Sequence, residues 1–261
     1  MSGGLAAGSW SRRCPEFYAI APRRVAAADA MSGDVVRLAK NHIDVGMMTG
    51  QIDAQLEFWQ NEVGLPFEEL LLLGGGRRQH RHGLNGSVLK INESREPLPE
   101  APPAGYRELL IARDGISASR RLTDPDGNQV VLVPRGEQDV AGIGVRLAVR
   151  DAAAFDDFYG RVLNLERVRE HVFRWGDSIV MFEQDQTAAA PASREGRGYR
   201  YLTVQVWDVD AEHAALLALG ATEGSPPITL GTTARISFIR DPDGNWIEIS
   251  QRASLTGALP R

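Results

Sequence analysis

The sequence predicts an α+β fold made of two tandem copies of one unit, and three echoes along the chain carry that prediction. The string Asp-Pro-Asp-Gly-Asn stands at 124–128 and again at 241–245. Gly105-Tyr-Arg-Glu-Leu109 is answered by Gly198-Tyr-Arg-Tyr-Leu202, each opening a strand-like run. A helical stripe of Ile52, Leu56, Trp59 and Val63 is matched by one of Phe155, Phe158, Tyr159 and Val162. The order strand, helix, strands, then strand and hairpin therefore occurs twice, and ordered self-similarity of this kind marks a repeated structural unit.

Taken in order, residues 1–34 are rich in Ala, Gly, Ser and Arg, with Glu16 the single acid before Asp29. They read as an unstructured or start-site extension with Met31 as an internal initiator, or as a transit peptide, and contribute nothing to the fold argument. The first strand runs from His42 to Met48 and the first helix follows it. Glu93–Ala104, with Pro97, Pro99, Pro102 and Pro103, is a linker. Ser119–Thr123 and Gln129–Val133 flank the first Asp-Pro-Asp-Gly turn, where Pro fixes φ and Gly accepts a left-handed conformation. Pro134–Asp139 joins the copies. In the second copy the strand Val145–Val149 precedes the helix, Gln184–Gly196 reads as a mobile loop, and Asp210–Leu219 as a further helix before the second hairpin. The shorter distance from Gly105 to Asp124 leaves no room for that helix, so the first copy is shortened. The predicted divisions are 1–34, a first domain at 35–135, a second at 140–252 and a tail at 253–261.

Composition narrows the class. Of 261 residues, 34 are Asp or Glu and 29 Lys or Arg, a formal charge of −5, which leaves nucleic-acid binding without a basic footprint. No apolar run approaches the length of about 18 residues that a membrane span needs. The single cysteine, Cys14, forms no internal disulfide. A cytoplasmic protein with a small organic substrate or ligand and no membrane partner is expected, with a homodimer as one option for its assembly.

The His42 strand, the Phe58-Trp59 and Phe158-Tyr159 helices and both Asp-Pro-Asp-Gly-Asn hairpins resemble the vicinal oxygen chelate (VOC) superfamily, the group of glyoxalase I, bleomycin-resistance proteins and extradiol dioxygenases. Asp241-Pro-Asp-Gly-Asn-Trp-Ile-Glu-Ile249 is especially close to that family's closing signature. The resemblance spans about residues 38–251 and implies βαβββ modules paired into curved mixed sheets around a ligand cavity. It also implies a metal-binding glutamate at Glu248 and a metal-binding histidine at His42. Strand alternation independently puts Trp246, Glu248 and Ser250 on one face and Ile247 and Ile249 on the other, with the isoleucines under the helices and Glu248 toward the cavity. Gly144 and Val131 occupy the equivalent ligand positions of the other copy and cannot ligate. One site then requires the first module to pair with the fourth. His80 and His82, two apart on a strand, are further candidate ligands, the alternative being an exposed basic hairpin with Arg77, Arg78 and Arg81.

A divalent metal (Fe, Mn, Zn, Ni or Mg) at such a site would act as a Lewis acid on a vicinally oxygenated compound in lyase or isomerase chemistry, or, as a weaker case, in dioxygenase ring cleavage. Glu108 or Tyr201 would move the proton, and Trp246, Tyr199 and Asp44 would contact substrate. The competing expectation is a metal-free protein of the same fold that binds or sequesters a small ligand, favoured by the lost positions at Gly144 and Val131.

Overall fold

The computed structural model describes residue 1 and residues 36–189 and 193–260. Apart from residue 1, the 1–34 extension, with Cys14, lies outside the described residues. In the first copy β1 (Asp44–Thr49) leads into α1 (Ile52–Glu57), which widens into a π turn at Phe58–Glu62. An antiparallel meander follows: β2 (Phe67–Gly74), β3 (Arg77–Leu84) and β4 (Ser87–Glu93). Past the proline linker come β5 (Tyr106–Arg113), β6 (Arg120–Thr123) and β7 (Gln129–Pro134), with no helix between β5 and β6. The second copy runs β8 (Ile143–Val149), α2 (Ala152–Asp157) with its π turn at Phe158–Val162, β9 (Glu166–Arg169), β10 (Val172–Trp175) and β11 (Ser178–Gln184). It continues through β12 (Gly198–Gln205), α3 (Val209–Ala218), β13 (Thr222–Leu230), β14 (Ala234–Arg240) and β15 (Trp246–Arg252). The segment expected as a tail begins with a helical turn, α4 (Ala253–Thr256).

The strands form two mixed sheets, ordered β13-β14-β15-β12-β1-β4-β3-β2 and β6-β7-β5-β8-β11-β10-β9. The first module is thus joined to the fourth, through β1 against β12, and the second to the third, through β5 against β8. The two predicted domains, 35–135 and 140–252, are therefore interleaved rather than separate, because each contributes half of both sheets; Asp34–Arg261 forms one compact unit. The helix-side faces meet in a common core that includes Trp59, Phe155, Tyr159, Leu202, Ile247 and Ile249. Ile247 and Ile249 are fully buried there, each contributing about 1.5–3 kcal/mol.

The echoes seen in the sequence turn out to hold each other. In the second hairpin the buried Asp241 carboxylate accepts from the Asp243 and Asn245 backbone N–H groups and from Asn245 Nδ2, fixing the Asn side chain. Asn245 Oδ1 then accepts from the Gly105 N–H at 2.6 Å, and the Tyr106 hydroxyl donates to the Trp246 carbonyl at 2.8 Å. Across the molecule Asp124 fixes Asn128 in the same way. Asn128 Oδ1 accepts from the Tyr199 N–H, and the Tyr199 hydroxyl donates to the Gln129 carbonyl. Each Asp-Pro-Asp-Gly-Asn hairpin thus anchors the Gly-Tyr-Arg strand of the other sheet. Gly198, at φ +92°, has no room for a side chain: a Cβ would stand 2.5 Å from Asn128 Oδ1. No helix among the described residues is long and apolar enough to cross a membrane.

Candidate functional site

The larger sheet carries a cleft of about 150 Å³ on the face away from the helices. Strand alternation builds its floor. Gln79 and Arg81 come from β3, Lys90 and Asn92 from β4, Tyr201 and Gln205 from β12, and Glu248 and Ser250 from β15. Gly46 of β1 is part of the design, since a Cβ there would fall within 2.4 Å of the Tyr201 ring; only glycine lets that ring lie across the strand. Met48, Leu71, Ile236 and Phe238 supply apolar walls. Phe238 stands edge-on to both Tyr201 and Trp246, with ring centroids 6.0 and 5.8 Å apart.

At the centre the Lys90 ammonium, itself buried, donates to Glu248 Oε2 at 2.8 Å and to Thr203 Oγ1 at 2.7 Å. The Thr203 hydroxyl in turn donates to Glu248 Oε2 at 2.6 Å. Burial pulls the Lys90 amine below its ordinary value, and the nearby Glu248 and Asp44 carboxylates oppose that pull. Arg81 donates to Gln79 Oε1, Gln79 Nε2 to Asn92 Oδ1, and Asn92 Nδ2 to the Tyr201 hydroxyl oxygen at 3.0 Å. Burial drives the Tyr201 hydroxyl well above its usual range, so it stays protonated. Glu69 of β2 closes one end of the cleft by reaching Arg252 of β15 at 2.6 Å and Arg81 at 3.7 Å. At the mouth Glu195 pairs with Arg77 at 2.8 Å, while the Arg194 guanidinium lies 3.9 Å from the Phe238 ring centroid. The buried Arg200 holds this segment by donating to the carbonyls of Ser193, Arg194 and Glu195. At least this part of the predicted 184–196 loop is therefore fastened to β12.

The sequence-derived site residues do not all meet here. Glu248 and Tyr201 line the cleft, and Trp246 adjoins it beneath Phe238. Asp44 is buried on the same face at the base of β1, where Lys40 Nζ (2.6 Å), the Val88 N–H and Gln205 Nε2 occupy its oxygens. His42 precedes β1 and turns away, with Nε2 3.7 Å from Asp177 and its ring against Gly86. His80 and His82 do share a face, as alternation requires, but it is the helix-side face. His80 Nε2 is 3.2 Å from Glu93, and His82 Nε2 is 3.0 Å from Gln60 Nε2. Burial and the neighbouring His80 push His82 down to about 4. Glu108 belongs to the smaller sheet, bridged by Arg121 and by Arg146 at 2.9 Å. Tyr199 is in the core, not the cleft. Lys90, Asn92, Arg81 and Gln79 were missed, although the Leu89-Lys90-Ile91-Asn92 alternation carries the same signal that located Glu248.

The residues present do not fit a divalent ion in this cleft. Glu248 is already neutralised by an ammonium, and the side chains that face it are Lys90, Tyr201 and Thr203 rather than imidazoles or further carboxylates. Among the described residues no three His, Cys, Asp or Glu side chains converge as metal ligands.

The model of the Glyoxalase/Bleomycin resistance protein/Dioxygenase superfamily matches residues 143–249. Residues 143–249 thus carry the domain of the vicinal oxygen chelate superfamily, and the two interleaved copies of paired modules with their curled larger sheet have the fold of that class. Among solved structures it is similar to glyoxalase I from Zea mays, at 16% identity and a TM-score of 0.64, covering 82% of this chain and 92% of that one. It is likewise similar to a candidate dioxygenase from Bacillus subtilis at 12% identity and a TM-score of 0.58, covering 87% and 92%. The cppA protein from Streptococcus pneumoniae matches at 11% identity and a TM-score of 0.50, covering 82% and 99%. At these identities the likeness is one of fold. No curated protein matches the sequence.

Proposed function

We propose that the protein binds a small organic molecule in the cleft of the larger sheet and does so without a divalent ion there. The observation that carries this reading is the Lys90 ammonium on Glu248, at 2.8 Å. The chain supplies from its own sequence the positive charge that the resemblance assigns to a metal. A dication brought beside that ammonium meets repulsion of about 4 kcal/mol per unit charge at 4 Å and an effective dielectric near 20. A small cleft with apolar walls over a floor of placed polar groups has the make-up of a small-molecule site. The retained Glu248 is what favours the metal-dependent alternative, and one experiment decides between them. The protein is incubated with Zn, Ni, Mn or Fe(II), dialysed, and its metal content measured beside that of Glu248→Gln. Substoichiometric metal, unchanged by the substitution, is expected. Stoichiometric metal that disappears in Glu248→Gln overturns the metal-free reading.

A further inference from the structure

The direction of the hydrogen bonds in the cleft says what its ligand must offer. Arginine only donates, so Arg81 fixes Gln79 with its oxygen toward the guanidinium and its amide N–H toward Asn92. Asn92 must then accept with Oδ1 and donate with Nδ2, to the Met47 carbonyl and to the Tyr201 oxygen. Tyr201 is therefore an acceptor from Asn92, and its own proton is left over at the cleft end of the chain. A second chain runs from Lys90 through Thr203 to Glu248. It uses two of the three ammonium protons, one on Thr203 and one on Glu248, and leaves the third. Both surplus donors belong to residues that line the cleft, and the ammonium lies 5.7 Å from the Tyr201 ring centroid.

The charges agree with the donors. Five cations line the cleft, Arg77, Arg81, Lys90, Arg194 and Arg252, against Glu195, Glu248 and the adjoining Glu69. Among the described residues Arg194 has contacts with the Phe238 and Trp246 rings but no carboxylate partner. This excess of positive charge is local, since the whole chain is at −5.

We infer that the ligand of this cleft is a small organic anion, with an oxyanion received by the Tyr201 hydroxyl and the third Lys90 N–H, balanced by Arg194. Its apolar body lies against Met48, Ile236 and Phe238. The inference rests on the proposed small-molecule role of the cleft, but its test is independent of metal content. Benzoate and its uncharged isostere benzamide are titrated into the full-length protein by calorimetry at low salt. Benzoate is expected to bind at least about 10-fold more tightly than benzamide, with the gap narrowing as salt rises. Tyr201→Phe keeps the ring and removes the hydroxyl, its free proton and its oxygen alike, and Arg194→Gln removes the charge from the mouth. Each is expected to weaken benzoate about 5- to 10-fold; Arg194→Gln leaves the melting temperature in place, whereas Tyr201→Phe lowers it, because the buried Asn92 loses an acceptor. Equal affinity for the two probes overturns the anion assignment while leaving a small-molecule cleft standing. Unchanged benzoate affinity in both variants overturns the placement at Tyr201 and Arg194. Binding of neither probe up to about 20 mM overturns the inference outright.

Discussion

The two sheets arise from equivalent modules, yet their faces away from the helices have opposite contents. In the larger sheet that face is polar: Gln79, Arg81, Lys90, Asn92, Tyr201 and Glu248 surround an open cleft. In the smaller sheet the corresponding face is filled by Leu110, Ala112, Val131, Val133, Val140, Val172, Ile179 and Met181. Val140, just after the linker between the copies, packs so closely on β8 that a Cβ at Gly144 would lie 2.8 Å from its methyl. Gly144 and Val131, the two positions that cannot ligate, thus belong to a face that has become a second hydrophobic core. One pseudo-equivalent surface is kept open by charges that must be solvated or paired, and the other is closed by side chains that need neither.

Three experiments bear on that contrast. Lys90→Met should be the most damaging, at about 3–5 kcal/mol in urea unfolding, because it strands the Glu248 carboxylate in a buried site. The Lys90→Met, Glu248→Met double variant should recover most of that loss, and a double variant as unstable as the single one would refute the charge-pair account. Leu110→Ala opens the filled face and should cost about 3 kcal/mol, whereas Met48→Ala on the cleft wall should cost no more than about 1.5 kcal/mol. Equal costs would mean that the two faces are packed alike.

A further test is in pH, where the effect per pH unit is small. Burial pushes Asp241 up to about 7 against the hydrogen bonds from Asn245 and Asp243, so the folded protein holds a proton that the unfolded chain releases near 3.9. That contribution is fully present below about 4 and is lost as pH rises through 7. His82, pushed down to about 4, works the other way: its contribution is present above about 6.5 and lost as pH falls through 4. His82→Gln should therefore leave stability falling from pH 4 to 7, with a slope no steeper than about 1.4 kcal/mol per pH unit. A rise with pH in that variant would contradict the assignment.

Much of the architecture was legible because the repeat is written in turn chemistry. The two hairpins, the α3 helix and the orientation of Glu248 against Ile247 and Ile249 follow from local spacing alone. Pairing of the first module with the fourth was legible only as a condition for a shared site. Side-chain direction failed where the backbone departs from regular alternation. Tyr199 and Tyr201 share parity, but β12 carries an extra residue opposite Gly46 and Met47, so Tyr199 turns into the core while Tyr201 keeps the cleft. The same irregularity between Tyr106 and Glu108 on β5 puts Tyr106 in the core. His42 was assigned to a strand that begins two residues later. For His80 and His82 alternation gave the shared face but not which side of the sheet it was.

The exchange of modules also orders events on a growing chain. The smaller sheet draws on a contiguous stretch, from β5 to β11, and can close as soon as residue 184 is available. The larger sheet cannot, for Lys90 and Glu248 lie 158 residues apart. Module one therefore waits as a half-sheet, its β1 edge unpaired, until nearly the whole polypeptide has emerged. The ligand cleft is the last part of the molecule to exist, and a chain cut short before β15 would be born without it.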